Sequence, residues 1–126
     1  MKKFLPFAAA LLLAVSLSGC GEPDFDGSRL GNDSQLIMEY KTFNGTDSQE
    51  LELKEGDLLE IQLLNHGGGS LKAVVQKGEE EPIFEEEDIS VNRVTLEIEE
   101  SGTYTVTVTG EKARGSVSFV KTEKEG

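Results

Sequence analysis

The sequence predicts an all-β domain, an antiparallel sandwich or barrel of about eight strands. Three observations carry this. From Leu36 onward apolar residues recur at every second position, the period of a strand with one packed face. Turn-forming residues interrupt them at intervals of roughly 8 to 12 positions. No segment has the spacing of an amphipathic helix, and connections this short favour antiparallel pairing.

Leu36 to Phe43 alternate and stop at Asn44-Gly45, a strong hairpin signal because both residues tolerate positive φ. Ser48 to Lys54 follow, with Leu51 and Leu53 on one face. After the turn at Gly56-Asp57, Leu58 to Asn65 place Leu59, Ile61 and Leu63 on one side and Leu58, Glu60, Gln62 and Leu64 on the other, the pattern of a central strand. Gly67 to Gly69 turn the chain into Leu71 to Lys77, with Leu71, Ala73 and Val75 inward. Beyond Gly78 and an acidic loop, Ile89 and Val91 lead into a strand carrying Val94, Leu96 and Ile98. Past Ser101-Gly102, Tyr104, Val106 and Val108 alternate with Thr103, Thr105, Thr107 and Thr109, which suits one packed and one wet face. A turn through Gly110 to Gly115 then leads to Val117 and Phe119. The domain is expected over residues 36–122, with 123–126 as a C-terminal tail, and without internal repeats.

The first 19 residues read as a secretory signal: a basic start at Lys2 and Lys3, an apolar stretch from Phe4 to Leu17 and small residues after it. The stretch is shorter than the roughly 20 apolar residues of a spanning helix. Its end, Leu17-Ser18-Gly19-Cys20, resembles the lipobox of bacterial lipoproteins. That resemblance implies cleavage before Cys20, a diacylglyceryl group on the Cys20 thiol, and a protein held on the extracytoplasmic face of the cell membrane. Two acyl chains suffice for stable anchoring where one does not. Residues 20–35, rich in Gly, Ser, Asp and Asn, read as the lipidated cysteine and a flexible linker. Phe25 and Leu30 are its apolar residues, available to dock on the domain.

The chain has 24 acidic and 12 basic residues, a net charge of −12. Removing the signal leaves ten bases against 24 acids, a net of −14. Such a surface repels phosphate backbones and anionic headgroups, so nucleic acid is not an expected partner. Self-repulsion favours a monomer. One cysteine, one histidine and no tryptophan leave no disulfide and no Cys/His zinc site.

Gly102-Thr103-Tyr104-Thr105-Val106 resembles the tyrosine corner of Greek-key sandwiches. With Glu55-Gly56-Asp57 and Gly110 to Phe119, the stretch Leu36 to Lys121 resembles small bacterial surface lipoproteins with a GOLD-like or pre-peptidase-C-like domain. The resemblance implies a jelly-roll or Greek-key β-sandwich; it implies a fold more than an activity.

Four features bear on chemistry. His66-Gly67-Gly68-Gly69 copies the string that supplies oxyanion-hole amides in lipases and esterases. No G-x-S-x-G nucleophile elbow accompanies it, so it reads as a glycine turn. Glu85, Glu86, Glu87 and Asp88, after Glu79 to Glu81, offer hard oxygen ligands, and Ca2+ is the candidate cofactor. Their spacing matches no calcium loop, and a solvated acidic loop pinned by Phe84 is the competing reading. The few aromatic residues are largely needed for the core, which weighs against a glycan platform. Lys112, Arg114, Lys121 and Lys124 form a small basic group near the C-terminal strand. No nucleophile and base stand out, so the protein is expected not to be an enzyme. The expected function is a membrane-anchored binding or interaction module of the cell envelope, contacting an envelope protein or ligand. The expected recognition loops are Asn65 to Ser70 and Gly78 to Asp88, with His66, Ser70 and Phe84. The alternatives are a passive surface spacer, or a calcium- or glycan-binding accessory domain.

Overall fold

The computed structural model describes residues 24–123. The signal segment, Cys20 and Lys124 lie outside the described residues. Among the described residues seven strands run in the order β1 (Phe25–Asn32), β2 (Gln35–Leu53), β3 (Leu58–Asn65), β4 (Ser70–Lys77), β5 (Phe84–Glu86), β6 (Val91–Glu97) and β7 (Gly102–Thr122), and every pairing is antiparallel. The expected all-β antiparallel sandwich is what the chain forms.

Two long strands organise it. The first part of β2 pairs with the last part of β7, and the last part of β2 with the first part of β7, so the two run together along their whole length. On the far side of β7, β3 pairs with Leu58 to Asn65 against Gly115 to Thr122, and β4 pairs with Ser70 to Lys77 against Tyr104 to Glu111. One half of the molecule is therefore a five-stranded sheet, β1-β2-β7-β3-β6, and the other a four-stranded one, β2-β7-β4-β5. Strands that pass from one sheet to the other through bulges make a corner between packed layers.

The corner replaces two expected turns. Asn44-Gly45 was expected to reverse the chain, as was Gly110 to Gly115; instead Gly45 pairs with Gly110 and Phe43 with Ala113 inside continuous strands. Between Tyr40 and Phe43, two residues of β2 oppose one of β7; between Phe43 and Gly45, one of β2 opposes two of β7. Each strand thus carries one extra residue, and each extra residue flips the inward face. Buried positions are Leu36, Met38 and Tyr40 before the bulge in β2 and Phe43, Leu51 and Leu53 after it. In β7 they are Tyr104, Val106 and Val108, then Ala113, Val117 and Phe119. The Asn44 carboxamide accepts the amide of Lys112 at 2.6 Å, where Lys112 takes φ 52°. The turn residues are there to bend a strand pair rather than to reverse it.

Inward residues from both sheets, including Leu59, Ile61, Leu63, Leu71, Ala73 and Val75, form one core, with Ile89 and Ile98 sealing it from the loops. The Tyr104 hydroxyl donates to the Glu100 carbonyl at 2.6 Å, the contact expected of a tyrosine corner. β1 departs from the expected flexible linker over 20–35. Phe25–Asn32 is a strand paired with β2, with a register shift at Asp26/Gly27. Phe25 packs edge-on against Tyr40 and Phe43, with ring centroids 6.1 and 6.0 Å away. Arg29 Nε donates to Asp47 at 2.8 Å, and Arg29 Nη2 to Ser48 O and Gln49 Oε1 at 3.0 and 3.1 Å. The ladder and this clamp order a segment that carries little apolar surface.

Candidate functional site

The outer face of the five-stranded sheet bears rows of side chains fixed by register. Ser28 pairs with Glu39, Glu39 with Ser116, Ser116 with Leu64 and Leu64 with Val91, a straight row across all five strands. The next row runs Leu30, Ile37, Ser118, Gln62 and Arg93.

At the corner end of this face two irregularities meet, the β1 shift at Asp26/Gly27 and the β2 shift after Tyr40. Tyr40 is flanked in register by Gly27 and Gly115. Both glycines are required by close approach, since a Cβ at Gly27 would strike the Glu39 carbonyl and one at Gly115 the Leu64 carbonyl. Tyr40 turns inward, 6% exposed, against Phe43 at a centroid distance of 5.2 Å. Burial pushes its phenol up to about 12, and its buried hydroxyl has no hydrogen-bond partner among the described residues. Bulged strands twist and bend, and here the outer face opens into a groove of about 470 Å3.

The groove draws Asp26 and Ser28 from β1, Glu39 and Lys41 from β2, and Arg114 and Ser116 from β7. His66 and Leu64 form its remaining wall. His66 is held there by its amide, which donates to the Arg114 carbonyl at 2.9 Å, while the Asn65 carboxamide accepts the Arg114 amide at 3.2 Å. The His66 amide is thus committed to the main chain and not free to serve an oxyanion. The Asn65 carboxamide also donates to the Gly69 carbonyl at 3.1 Å, closing the glycine turn.

A second groove, also about 470 Å3, shares Leu64 and Ser116 with the first and continues past Gln62 and Asn92 to Arg93 on β6. Val91, 74% exposed, stands at its rim. Among the described residues Lys41, Arg93 and Arg114 enter no ion pair; the four that form involve Arg29, Lys72 and Lys77. The track therefore holds free cations in an acidic protein, beside carboxylates to which they are not tied.

The other expected residues fall elsewhere. Ser70 and Asp88 share a separate hollow of about 710 Å3 with Asn44 and Lys112. Phe84 is buried in the core and pins β5 against Val75, as a loop anchor should. The acidic run expected to hold calcium is not gathered into one site. Glu85 and Glu86 are successive strand residues opposite Val74 and Ala73, so alternation sends them apart. Glu85 stands 3.9 Å from the Lys72 ammonium, and Asp88 lies beyond the strand at φ 53°. Among the described residues no three His, Cys, Asp or Glu side chains converge as metal ligands. The small basic group also divides: Arg114 lines the first groove and Lys112 the Ser70 hollow.

Asp26, Ser28, Glu39, Lys41 and Ser116 were not singled out from the sequence. The Gly-rich β1 and the paired glycines Gly27 and Gly115 are the signals that mark the groove, and they are readable only once the register is known.

No family model matches the chain, and no curated protein matches it. Among the solved structures similar to it are these two. One is TmCBM61 in complex with β-1,4-galactotriose, 17% identical with a TM-score of 0.41, covering 78% of this chain and 70% of that one. The other is the Glycosylation Associate Protein (Gap123) complex from Streptococcus agalactiae, 18% identical with a TM-score of 0.36, covering 79% of this chain and 22% of that one. Likeness at this level concerns the arrangement of strands alone.

Proposed function

We propose that the protein is a lipid-anchored, extracytoplasmic binding module without catalytic activity, and that its ligand occupies the groove at the corner of the five-stranded sheet. The observation that supports this is the convergence there of Lys41, His66 and Arg114 with Asp26 and Glu39, with neither Lys41 nor Arg114 in an ion pair among the described residues. A passive spacer has no reason to keep hydrogen-bonding groups unpaired in a concave site, whereas a ligand site consists of a few convergent polar groups in a concavity. Leu17-Ser18-Gly19-Cys20 supplies the anchor, with the diacylglyceryl group on Cys20. Calcium is not part of this proposal.

Amide NMR of the full-length chain, titrated with soluble cell-wall fragments, tests the site. Shifts are expected at Asp26 to Ser28, Glu39 to Lys41, His66 and Arg114 to Ser116. Shifts confined to the Ser70 hollow, or none with any fragment, would reject it. Cys20→Ala should release the protein from the membrane fraction and abolish labelling by a fatty-acid analogue; retention with unchanged labelling rejects the anchor.

A further inference from the structure

Resting on the groove as the binding site, we infer that its ligand is a saccharide chain bearing isolated oxyanions, carboxylate or phosphate, laid diagonally across the five-stranded sheet from Arg114 and Lys41 to Arg93. The body carries net −14, yet three cations that form no ion pair among the described residues stand on one continuous track, because the two grooves join at Leu64 and Ser116. Guanidinium and ammonium groups left unpaired among so many carboxylates are available to an oxyanion, and the guanidinium fork matches one in two parallel hydrogen bonds.

The overall charge limits how dense the ligand's charge can be. A polyanion with a charge on every unit would be repelled by the rest of the surface. Arg93 lies two strands over from β7 and about four residues along, so the two cationic ends are on the order of 15 Å apart. Well-separated charges on the ligand fit that spacing.

The groups between the cations favour sugar over peptide. The floor is a side-chain face whose main-chain groups are already laddered on both sides in β2, β7 and β3; the sheet's edges are β1 and β6 at its two borders, so a peptide laid diagonally across the floor finds no strand edge to extend. The groups offered instead are the hydroxyls of Ser28 and Ser116, the carboxamide of Gln62, and the carboxylates of Asp26 and Glu39. Carboxylates accept from hydroxyls, and serine and carboxamide groups serve as both donor and acceptor. The apolar side chains Leu64 and Val91 lie along the same path to meet C–H faces.

The test is calorimetric and NMR titration of the full-length protein in neutral-detergent micelles. Its probes are a hyaluronan tetrasaccharide, in which carboxylate-bearing and neutral sugars alternate, the same tetrasaccharide with its carboxyls reduced to alcohols, and inorganic phosphate. The tetrasaccharide should bind and shift groove amides. The reduced form should bind about tenfold more weakly or less, as should the parent on Arg114→Gln or Lys41→Gln, the loss expected for one charge-assisted hydrogen bond. Lys54→Gln, an equal charge change outside both grooves, should bind as the parent does. Equal binding of the acidic and reduced forms overturns the oxyanion and leaves the groove reading standing. Phosphate binding as tightly as the tetrasaccharide overturns the saccharide and points to a small-anion site. No binding of the tetrasaccharide overturns the inference, whereas the groove reading fails separately, on the cell-wall titration.

Discussion

Tyr40 concentrates the tension between packing and polarity in this protein. Its ring covers the backbone where Gly27 and Gly115 leave no side chains, and packs edge-on against Phe25 and at a tilt against Phe43. The same position buries a hydroxyl with no partner among the described residues. An unsatisfied buried polar group costs about 1–3 kcal/mol, and its removal with shape retained is neutral or stabilising. Tyr40→Phe should therefore raise the free energy of unfolding by about 1 kcal/mol in a urea titration; a loss of that size would mean that the hydroxyl has a bonding role. The phenol also predicts an alkaline limit. Burial raises Tyr40 to about 12 from 10.0, and burial is also the leading cause of the upward shift at Tyr104. Folding thus favours the protonated phenols, a contribution complete below pH 10 and lost as pH rises to about 12. Tyrosinate absorbance should appear later in the folded protein than in urea, and Tyr40→Phe should lose less stability over that pH window. At Ile61, fully buried in β3, truncation to alanine should cost about 2–5 kcal/mol. Thr107→Ala on the outer face should stay within about 0.5 kcal/mol.

At the scale of elements, period-two alternation recovered the inward residues of β3, β4 and both halves of β7, because those positions are read from local pattern alone. It misplaced the corner. Asn-Gly and a glycine-rich run are local hairpin signals, but whether the chain reverses there depends on what lies across from them. Here each lies opposite the other in a continuous pair, and the bulges fall beside them, one at Lys41-Thr42 in β2 and one at Glu111-Lys112 in β7, where Lys112 takes φ 52°. β1 escaped for a different reason. FDGSRLGN has two apolar residues in eight, and its order comes from ladder bonds and from Arg29 reaching across to β2, contacts between positions 18 to 20 apart. Most of the candidate site came into view only through the structure, for the same reason. His66 and Arg114 were legible as an unusual turn and a basic residue, whereas Asp26, Ser28, Glu39 and Lys41 became site residues through register. The corner makes a prediction of its own. Asn44→Ala removes the acceptor for the Lys112 amide, so hydrogen exchange at Lys112 should accelerate while exchange in the core of β3 keeps its rate. The cost should be about 1 kcal/mol, that of one hydrogen bond. Uniform acceleration would show that the bulge is coupled to global unfolding rather than locally capped.

For the whole molecule the decisive quantity is charge. The body's excess of acids, net −14, is set against four ion pairs among the described residues, two of them at 3.9 Å. Exposed pairs of this kind contribute about 0–1 kcal/mol each, so repulsion among the remaining carboxylates dominates the electrostatics of folding. Screening weakens both, but long-range repulsion suffers more, because the Debye length falls from about 30 Å at 0.01 M salt to about 3 Å at 1 M. The melting temperature should therefore rise with sodium chloride over this range, and rise further toward pH 5, nearer the sequence pI of about 4.4. A melting temperature that falls with salt would mean that attractive pairs outweigh the repulsion. The same screening acts oppositely on the groove, where contacts between an oxyanion and Arg114 or Lys41 weaken as salt rises. Stability and affinity should thus move in opposite directions along one salt titration of the full-length protein. A site held by neutral hydrogen bonds would leave affinity flat while the melting temperature climbs, and that divergence separates a charged ligand from a neutral one without any substitution in the groove.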